Sequence, residues 1–356
     1  MKGTGRDDGE PWGRRVGERG FVLVLALAAV LGAAGTLLWV QSRALERARS
    51  AAAILETEAL RTAAAEAARE AMGTLAADAD LQCDHAGEEW AKPMERTRKD
   101  GIRISARVED AGRWVDWNNA GRGGAEGKRA SEVLENLLIC CGRFEKGGWP
   151  AALKDYEDED GEGRWEDGWY GKKDPPHGAA NRLLWAPEEL WDVEGIEFEW
   201  WRPRGAAERR AAGVFGGEIR ESTAVVPPEA GAGGAVSAVN ANTAGRSVLL
   251  AVAGVENEEL VDRALAMRRT RPFESTAPLA LAGADAAAAL SGVLDVKSRH
   301  FRVRARAERA GRAREVMAWV VRDERGDLSI AMWAEGEGRP GMEGAARSGA
   351  FPLTPP

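Results

Sequence analysis

The sequence predicts an α+β protein in which one long N-terminal helix precedes an antiparallel sheet, with a large, mostly helical region inserted between the strands of that sheet. Three observations lead to this fold class. Residues 21–40 form an uncharged apolar run that continues into an alanine-rich helical stretch. Alternating strand patterns occur early, from residue 102, and again late, after residue 300. Between them, mainly helical patterns are separated by glycine-rich and charged loops.

The apolar run is FVLVLALAAVLGAAGTLLWV, from Phe21 to Val40. Twenty helical residues at about 1.5 Å each match the roughly 30 Å hydrocarbon core of a bilayer. The run is longer than the apolar core of an ordinary signal peptide, and helix-forming residues follow it. We therefore expect residues 21–40 to cross a membrane and residues 41–77 to continue the same helix as a stalk.

Strand and helix patterns divide the rest of the chain. The two early alternating runs, 102–108 and 113–117, are predicted to form a hairpin joined at residues 110–112. Later strands are predicted at residues 301–306, 315–321 and 328–333. Helices are predicted at residues 131–143, 150–155, 187–193, 244–252 and 256–269.

These patterns set the expected boundaries. Residues 101–118 contain the first strands, residues 119–297 the inserted helical domain, and residues 298–334 the late strands. The economical interpretation is one discontinuous sheet, and two independent domains are the alternative. The glycine-rich run 227–234 is predicted to be a loop, and residues 335–356 a flexible tail.

The charge of the chain excludes one class of partner. Its 356 residues carry a formal net charge of −8. Nucleic acid bound through its phosphates needs clustered lysine and arginine, so no nucleic-acid partner is expected. A divalent-cation site is compatible with this charge.

The residues that usually perform catalysis are sparse. The three histidines, His85, His177 and His300, are not spaced with serine or cysteine to form a nucleophile and its base. The sequence contains no phosphate-binding glycine loop and no HExxH motif. We therefore expect that the protein is not an enzyme.

Three cysteines, Cys83, Cys140 and Cys141, cannot all pair within one molecule. In an oxidising compartment, Cys83 can bridge to one of the adjacent pair. Three buried thiols without a bridge are the other interpretation, and the sequence does not choose between them.

An acidic loop, DYEDEDGEGRWED, supplies candidate ligands for a hard cation. Calcium takes six to eight oxygen ligands, and carboxylates spaced around glycines let one loop surround an ion. The spacing does not follow the EF-hand pattern. A solvated acidic loop explains the same residues equally well. The candidate ligands are Asp155, Asp158, Asp160, Glu166 and Asp167.

A helical hairpin is predicted after Val239. Asn242 or Thr243 is expected to cap its first helix, and Gly254 to form its turn. This pattern resembles the helix-hairpin-helix of DNA-binding proteins, so the alternative function is DNA binding in a competence or type IV pilus-like system. Carboxylates at Glu256, Glu258 and Glu259 would face the phosphate, which favours a structural role for the hairpin despite the nearby arginines.

The segment Arg19-Gly20-Phe21, followed by the apolar run, resembles the processing site of type IV pilins and type II secretion pseudopilins. The resemblance implies a leader over residues 1–20, a cut by prepilin peptidase between Gly20 and Phe21, and methylation of the new N-terminus. It also implies that the sheet packs on the lower part of the helix. Most pilins carry a glutamate where this chain has Leu25, and K-type minor pseudopilins characteristically lack it, which implies a position at the filament tip.

The acidic loop extends the resemblance to the K-type minor pseudopilins, or general secretion pathway protein K. Their signature begins with an Asp-aromatic-x-Asp-x-Asp run, here Asp155 to Asp160, and continues through Glu166, Asn181 and Leu190. This chain departs from it with Tyr156 for a tryptophan and Glu157 for an apolar residue. The resemblance implies calcium bound in the inserted domain by Asp158, Asp160, Glu166 and Asp167.

The same resemblance implies a structural role. A K-type protein would start or cap the short pseudopilus of a type II secretion system, with I- and J-type minor pseudopilins and the major pseudopilin as partners. It would be anchored in the inner membrane, with its soluble domain in the periplasm.

Overall fold

The computed structural model describes residues 13–143, 147–201, 218–228, 237–277 and 292–338, with side chains from residue 20 onward. It comprises two compact units, residues 1–59 and residues 60–356. The first helix, α1 (Gly13–Ala76), is continuous over 64 residues.

The described part of the first unit is the N-terminal portion of α1. It contains one stretch long and apolar enough to cross a membrane, and none of that stretch is buried. Phe21 is 68% exposed and Trp39 is 62% exposed. Large apolar side chains cannot remain in water at this density, so this surface requires lipid or other apolar helices around it.

The second unit begins with the last turns of α1. Leu60, Ala64, Ala68, Ala71 and Leu75 recur every three or four residues and are all buried, so they form one face of the helix. The small alanine side chains allow the rest of the unit to approach this face closely.

Nine strands are found in the described residues of the second unit. They are β1 (Met94–Thr97), β2 (Arg103–Asp110), β3 (Val115–Asp116), β4 (Thr223–Ala224), β5 (Val239–Asn240), β6 (Leu294–Asp295), β7 (His300–Arg309), β8 (Arg312–Arg322) and β9 (Leu328–Gly338). Five of them form an antiparallel sheet in the order β1-β2-β7-β8-β9.

The discontinuous sheet predicted from the sequence is present. β2 pairs with β7 over eight residues, from Arg103 opposite Glu308 to Asp110 opposite Phe301, although about 190 residues of chain separate them. Ile104, Val108, Val303 and other alternate residues of these strands are buried. The α+β fold class, with a long helix and an antiparallel sheet, is thereby confirmed.

Both edge strands of the sheet contact α1. Beside β1, Arg96 forms an ion pair with Glu70 at 2.6 Å. On β9, Glu335 forms an ion pair with Arg61. Because β1 and β9 lie at opposite edges, these ion pairs tie both sides of the sheet to the helix.

The inserted region has its own hydrophobic core. Trp117 lies at its centre, with ring centroids 5.2 Å from Trp149 and 5.7 Å from Trp201. Its helices are α2 (Gly124–Cys140), α3 (Trp149–Glu157), α4 (Asp167–Tyr170), α5 (Ile219–Ser222), α6 (Arg246–Ala253) and α7 (Glu258–Thr270), with short 3₁₀ helices at Pro187–Asp192 and Phe198–Trp201. The stretch 187–193, predicted as a helix, forms the 3₁₀ helix Pro187–Asp192.

The early hairpin prediction was wrong. β2 pairs with β1 and β7, whereas Val115 and Asp116 pair in parallel with β4. The Asp110 carboxylate accepts a hydrogen bond from the Gly112 backbone N–H at 2.7 Å, which starts a 3₁₀ turn. This turn leads the chain out of the sheet and into the insertion.

Three smaller predictions also need correction. β1 was not among the predicted strands, because its mostly exposed residues show no alternation of buried and exposed positions. Residues 335–338 belong to β9, paired with β8, and not to a flexible tail. The helix α6 begins after Gly245 without a side-chain cap, so neither Asn242 nor Thr243 caps it. Residues 339–356 and 229–236, the latter covering most of the predicted glycine-rich loop, lie outside the described residues.

The three cysteines, all within the described residues, are buried thiols and none is in a disulfide. Burial raises the pKa of Cys83 and of Cys140 to about 11, so neither thiol ionises readily. Of the two interpretations left open by the sequence, the unbridged one describes this structure.

Candidate functional site

The acidic loop connects α3 to α4. Asp158 follows the last residue of α3, and Glu166 precedes the first residue of α4. One carboxylate oxygen from each of Asp158, Asp160 and Glu166 lies within 4.8 Å of the others. Calcium–oxygen distances are about 2.3–2.6 Å, so ligands on opposite sides of an ion lie about this far apart.

Asp155 has a different place in the loop. Its Oδ2 accepts hydrogen bonds from the backbone N–H groups of Arg164 at 2.9 Å and Trp165 at 3.1 Å. The carboxylate also fills the space in which a side chain at Gly163 would lie, since a Cβ there would be 2.2 Å from Oδ2. Asp155 therefore folds the loop back onto α3 and sets the direction of Glu166.

Asp167 also contacts backbone. Its Oδ1 accepts a hydrogen bond from the Ala179 N–H at 2.8 Å, which ties the start of α4 to the segment that follows it. Of the five candidate ligands, three converge on one point, and Asp155 and Asp167 hold the surrounding chain.

The three converging carboxylates have too little positive charge and too few hydrogen-bond donors around them. Burial raises the pKa of Glu166, and the charges of Asp158, Asp155, Asp160 and Asp167 raise it further. Asp158 Oδ1 and Glu166 Oε1 are buried, and neither has a hydrogen-bond partner among the described residues.

Lys154 supplies part of the missing charge. Its Nζ contacts the other oxygen of Asp158 at 2.7 Å. One lysine cannot balance three carboxylates, and a buried oxygen without a hydrogen-bond partner is costly. A divalent cation placed among the three oxygens would satisfy both orphaned atoms, so the donor set fits a hard cation.

A second group of carboxylates was not anticipated from the sequence. Asp78, Asp84 and Glu88 also bring three oxygens within 4.8 Å. Here Arg322 occupies the position that a cation would take, with its Nη atoms 2.8 Å from Asp78 and 2.5 Å from Asp84. The neighbouring Glu88 accepts hydrogen bonds from the His85 N–H and the Trp90 indole N–H. This group is an internal ion pair and not a candidate metal site.

The predicted processing junction lies on α1. Gly20 and Phe21 are both exposed, within an uninterrupted helix. Leu25 is 61% exposed and places an apolar side chain on the outer surface of that helix.

Comparison with known proteins adds one finding on the fold. No protein-family model matches the sequence, and no curated protein matches it. A chain in the crystal structure of the GspK–GspI–GspJ complex from the enterotoxigenic Escherichia coli type 2 secretion system is similar, with a TM-score of 0.58 and 18% sequence identity. The match covers 82% of this chain and all of that chain. The two chains therefore share a fold.

The segment Asn-Ala-Asn-Thr-Ala, residues 240–244, joins the insertion to the sheet. Asn240 Nδ2 donates to the Asp84 carbonyl, to the Asp110 carboxylate at the end of β2, and to Ser298 Oγ just before β7. Thr243 Oγ1 donates to the same Asp110 carboxylate at 2.5 Å. Burial raises the pKa of Asp110, and these hydrogen bonds oppose that rise.

The helical hairpin of α6, Gly254 and α7 forms where the sequence predicted it. Gly254 has a positive φ of 95°, which favours glycine at this turn.

The arginines of the hairpin are bound within the chain. Arg268 is directed inward, donating to the carbonyls of Ala241 and Ala244 at 2.6 and 2.8 Å. Arg246 pairs with Glu258 and Asp262. Both arginines are bound within the chain and do not present a surface for DNA phosphates.

Proposed function

We propose that this chain is a minor pseudopilin of a type II secretion system. The observation that carries the proposal is the fold similarity, because it extends over the whole of a chain in a solved GspK–GspI–GspJ complex. The apolar surface of α1 supports it, since a pseudopilin needs a helix that can lie in a membrane. In this proposal residues 21–40 cross the inner membrane, and the second unit is in the periplasm.

The proposed N-terminal processing rests on the sequence at the start of α1. Prepilin peptidase would cut between Gly20 and Phe21 and leave Phe21 as a methylated N-terminus. The leader of residues 1–20 would be lost.

The proposed position is the tip of the pseudopilus, where this chain would initiate or cap assembly. Leu25 supports this position. In a typical pilin, the glutamate at this point is thought to meet the N-terminal amine of a neighbouring subunit, and a carboxylate in hydrocarbon is stable only when it is paired. Leu25 has no charge to offer such an amine, so this chain would not add to a subunit already in place in the usual way.

Calcium is the proposed ligand of the acidic loop. Asp158, Asp160 and Glu166 would hold the ion, which would supply the positive charge that Lys154 alone does not. Asp155 and Asp167 would keep the loop in the required conformation through their backbone hydrogen bonds. The role of the ion in this proposal is structural.

The proposed partners are the I- and J-type minor pseudopilins, with the major pseudopilin below them. The test is co-purification of the detergent-extracted full-length chain with tagged I- and J-type proteins from the same cells. The proposal predicts a ternary complex that survives gel filtration. Elution of this chain apart from both partners would contradict it.

A further inference from the structure

One face of the five-stranded sheet carries more positive charge than its own carboxylates neutralise. We define the arginine face by Arg107 on β2 and by Arg302 and Arg304 on β7. In the register of the two strands, Arg107 is opposite Arg304, and Glu109 is opposite Arg302. Residues two apart on a strand point to the same side, so these four side chains share one face.

Glu109 is paired with two of these arginines. Its Oε2 accepts from Arg302 Nε at 3.0 Å and lies 2.9 Å from Arg302 Nη2. Its Oε1 lies 3.2 Å from Arg107 Nη2. Among the described residues Arg304 forms no ion pair with Glu109, so three guanidinium groups lie beside a single carboxylate that is already paired twice.

Among the described residues, Arg304 is the arginine of this group that has no carboxylate partner. Its Nη1 is buried and has no acceptor among the residues that the structure describes. Like charges placed directly opposite each other on neighbouring strands destabilise a sheet, and Arg304 faces Arg107 in this way. An arginine that was simply solvated on a sheet surface would expose its Nη atoms to water. Solvation therefore does not explain why Arg304 Nη1 is buried.

Arg107 and Arg304 are accessible, and flexible methionine side chains lie beside them. The side chain of Arg107 is 29% exposed, and Arg304 is half-buried. Met317 lies opposite Arg304 on β8, and Met332 lies on the next strand, β9. Arginine and methionine are enriched at protein interfaces, whereas a site for a small free anion does not need an apolar border.

We propose that Arg107 and Arg304 form a docking site for an aspartate or glutamate side chain of a partner protein. Charge complementarity supports this occupant: the three arginines exceed the one carboxylate by two charges, and planar guanidinium groups bind carboxylates through paired hydrogen bonds. The incoming carboxylate would contact the accessible parts of Arg107 and Arg304 and offset the repulsion between the two guanidinium groups. The proposal does not depend on the secretion role, because it concerns the chemistry of the partner and not its family.

The test uses the full-length chain in the membranes of the cells that produce it. A photo-crosslinking amino acid replaces Ser105, which lies on the arginine face two residues from both Arg107 and Arg103. Arg304→Gln removes the unneutralised charge. Arg103→Gln is the matched control, because Arg103 lies on the same face and has Glu308 as its own ion-pair partner.

We expect one protein adduct whose yield falls roughly ten-fold in Arg304→Gln and stays within about two-fold in Arg103→Gln. Mass spectrometry of the adduct should place the cross-link beside an aspartate or glutamate of the partner, and changing that residue to its amide should lower the yield equally. The thermal midpoint of purified Arg304→Gln should equal or exceed that of the unmodified chain, because a repulsion has been removed.

Four results would overturn the proposal. These are the absence of any protein adduct, a lipid adduct in its place, an equal yield from Arg304→Gln, and a loss of yield that accompanies a lowered thermal midpoint. The last result would show that Arg304 supports the fold and not a partner.

Discussion

Asp155 and Asp158 are three residues apart, and their carboxylates have different roles. Asp155 accepts two backbone N–H groups and closes the acidic loop. Asp158 leaves one oxygen buried and without a partner. At the scale of single residues, the loop thus contains carboxylates that shape the chain and carboxylates that are free to bind a cation.

The first prediction concerns the converging carboxylates. With saturating calcium at about 100 times its dissociation constant, the unmodified chain should gain about 2.7 kcal/mol of unfolding free energy over the chain in chelator. Asp158→Asn and Glu166→Gln should each lose most of this gain. Glu162→Gln, on an exposed residue of the same loop, should keep it. Calcium titrations followed by thermal unfolding measure the difference.

Equal calcium responses in all three variants would contradict the ligand assignment. Asp155→Asn separates the two roles within the loop. It should lower stability in chelator as well, by about 1–3 kcal/mol, because it weakens the acceptor for two backbone N–H groups.

The second prediction concerns Glu157, which stands where K-type pseudopilins carry an apolar residue. Its side chain is 5% exposed, and neither carboxylate oxygen has a partner among the described residues. Burial raises the pKa of Glu157 well above its ordinary value, and the charge of Asp116 adds to the rise. The stability that this raised pKa contributes is present below about pH 4.3 and is lost as the pH rises through the folded-state pKa.

Relative to Glu157→Gln, the unmodified chain should therefore become less stable as the pH rises from 5 to 8. The measurement is urea unfolding at several pH values in chelator, so that calcium binding does not contribute. Glu159→Gln, an exposed neighbour, is the control and should show the same pH dependence as the unmodified chain. Parallel curves for the unmodified chain and Glu157→Gln would show that Glu157 has an ordinary pKa.

At the scale of elements, the junction between the insertion and the sheet depends on one short segment. Asn240 on β5 donates through Nδ2 to three residues, one that follows α1, one that ends β2 and one that precedes β7. The insertion is therefore fixed to the sheet at the point where the chain leaves β2 and where it returns to β7.

The third prediction follows from this junction. Asn240→Ala should lower the free energy of unfolding by about 2–4 kcal/mol, because it removes one of several donors to the buried Asp110 carboxylate together with the donors to the Asp84 carbonyl and to Ser298 Oγ. Asn136→Ala is the control, since Asn136 makes a single hydrogen bond, to the Ala251 carbonyl, and should cost about 1 kcal/mol. Urea denaturation gives both values. Equal losses would mean that the junction adds no stability beyond one ordinary hydrogen bond.

The elements differ in how well the sequence predicted them. The strands β7 and β8 and the helices α6 and α7 follow strict periodicities and were found within a few residues of their ends. β1 has no such pattern, since three of its four residues are exposed. The pairing of β2 with β7 could not be predicted from the residues around β2, because the whole insertion separates the two strands. The turn at Asp110 also ends β2 and prevents the predicted hairpin with the next strand.

The candidate site was also predicted only in part. The number and spacing of its aspartates and glutamates predicted an acidic loop that is able to bind a cation. The sequence could not separate Asp155 and Asp167 from the converging residues, because that distinction depends on which backbone N–H groups the folded loop brings near each side chain. Asp78, Asp84 and Glu88 approach one another only in the folded unit, where Arg322 from β8 joins them.

At the scale of the whole molecule, a membrane-length apolar helix and a fold shared with a chain of the GspK–GspI–GspJ structure occur in one chain. The fourth prediction concerns its maturation. Mass spectrometry of the chain extracted from membranes should find a methylated Phe21 as the N-terminal residue. Gly20→Leu should block the cut and retain the leader, whereas Gly32→Leu, within the same helix, should be processed normally. Retention of Met1 in the unmodified chain would contradict the proposed processing.

We have proposed that this chain ends a filament of pseudopilins and does not repeat within it. Native mass spectrometry of the detergent-extracted complex with the I- and J-type proteins tests this proposal, because it counts the copies of each chain. We expect one copy of each protein and no further growth when this chain is added in excess. A series of masses that increases by whole copies of this chain would contradict the tip position.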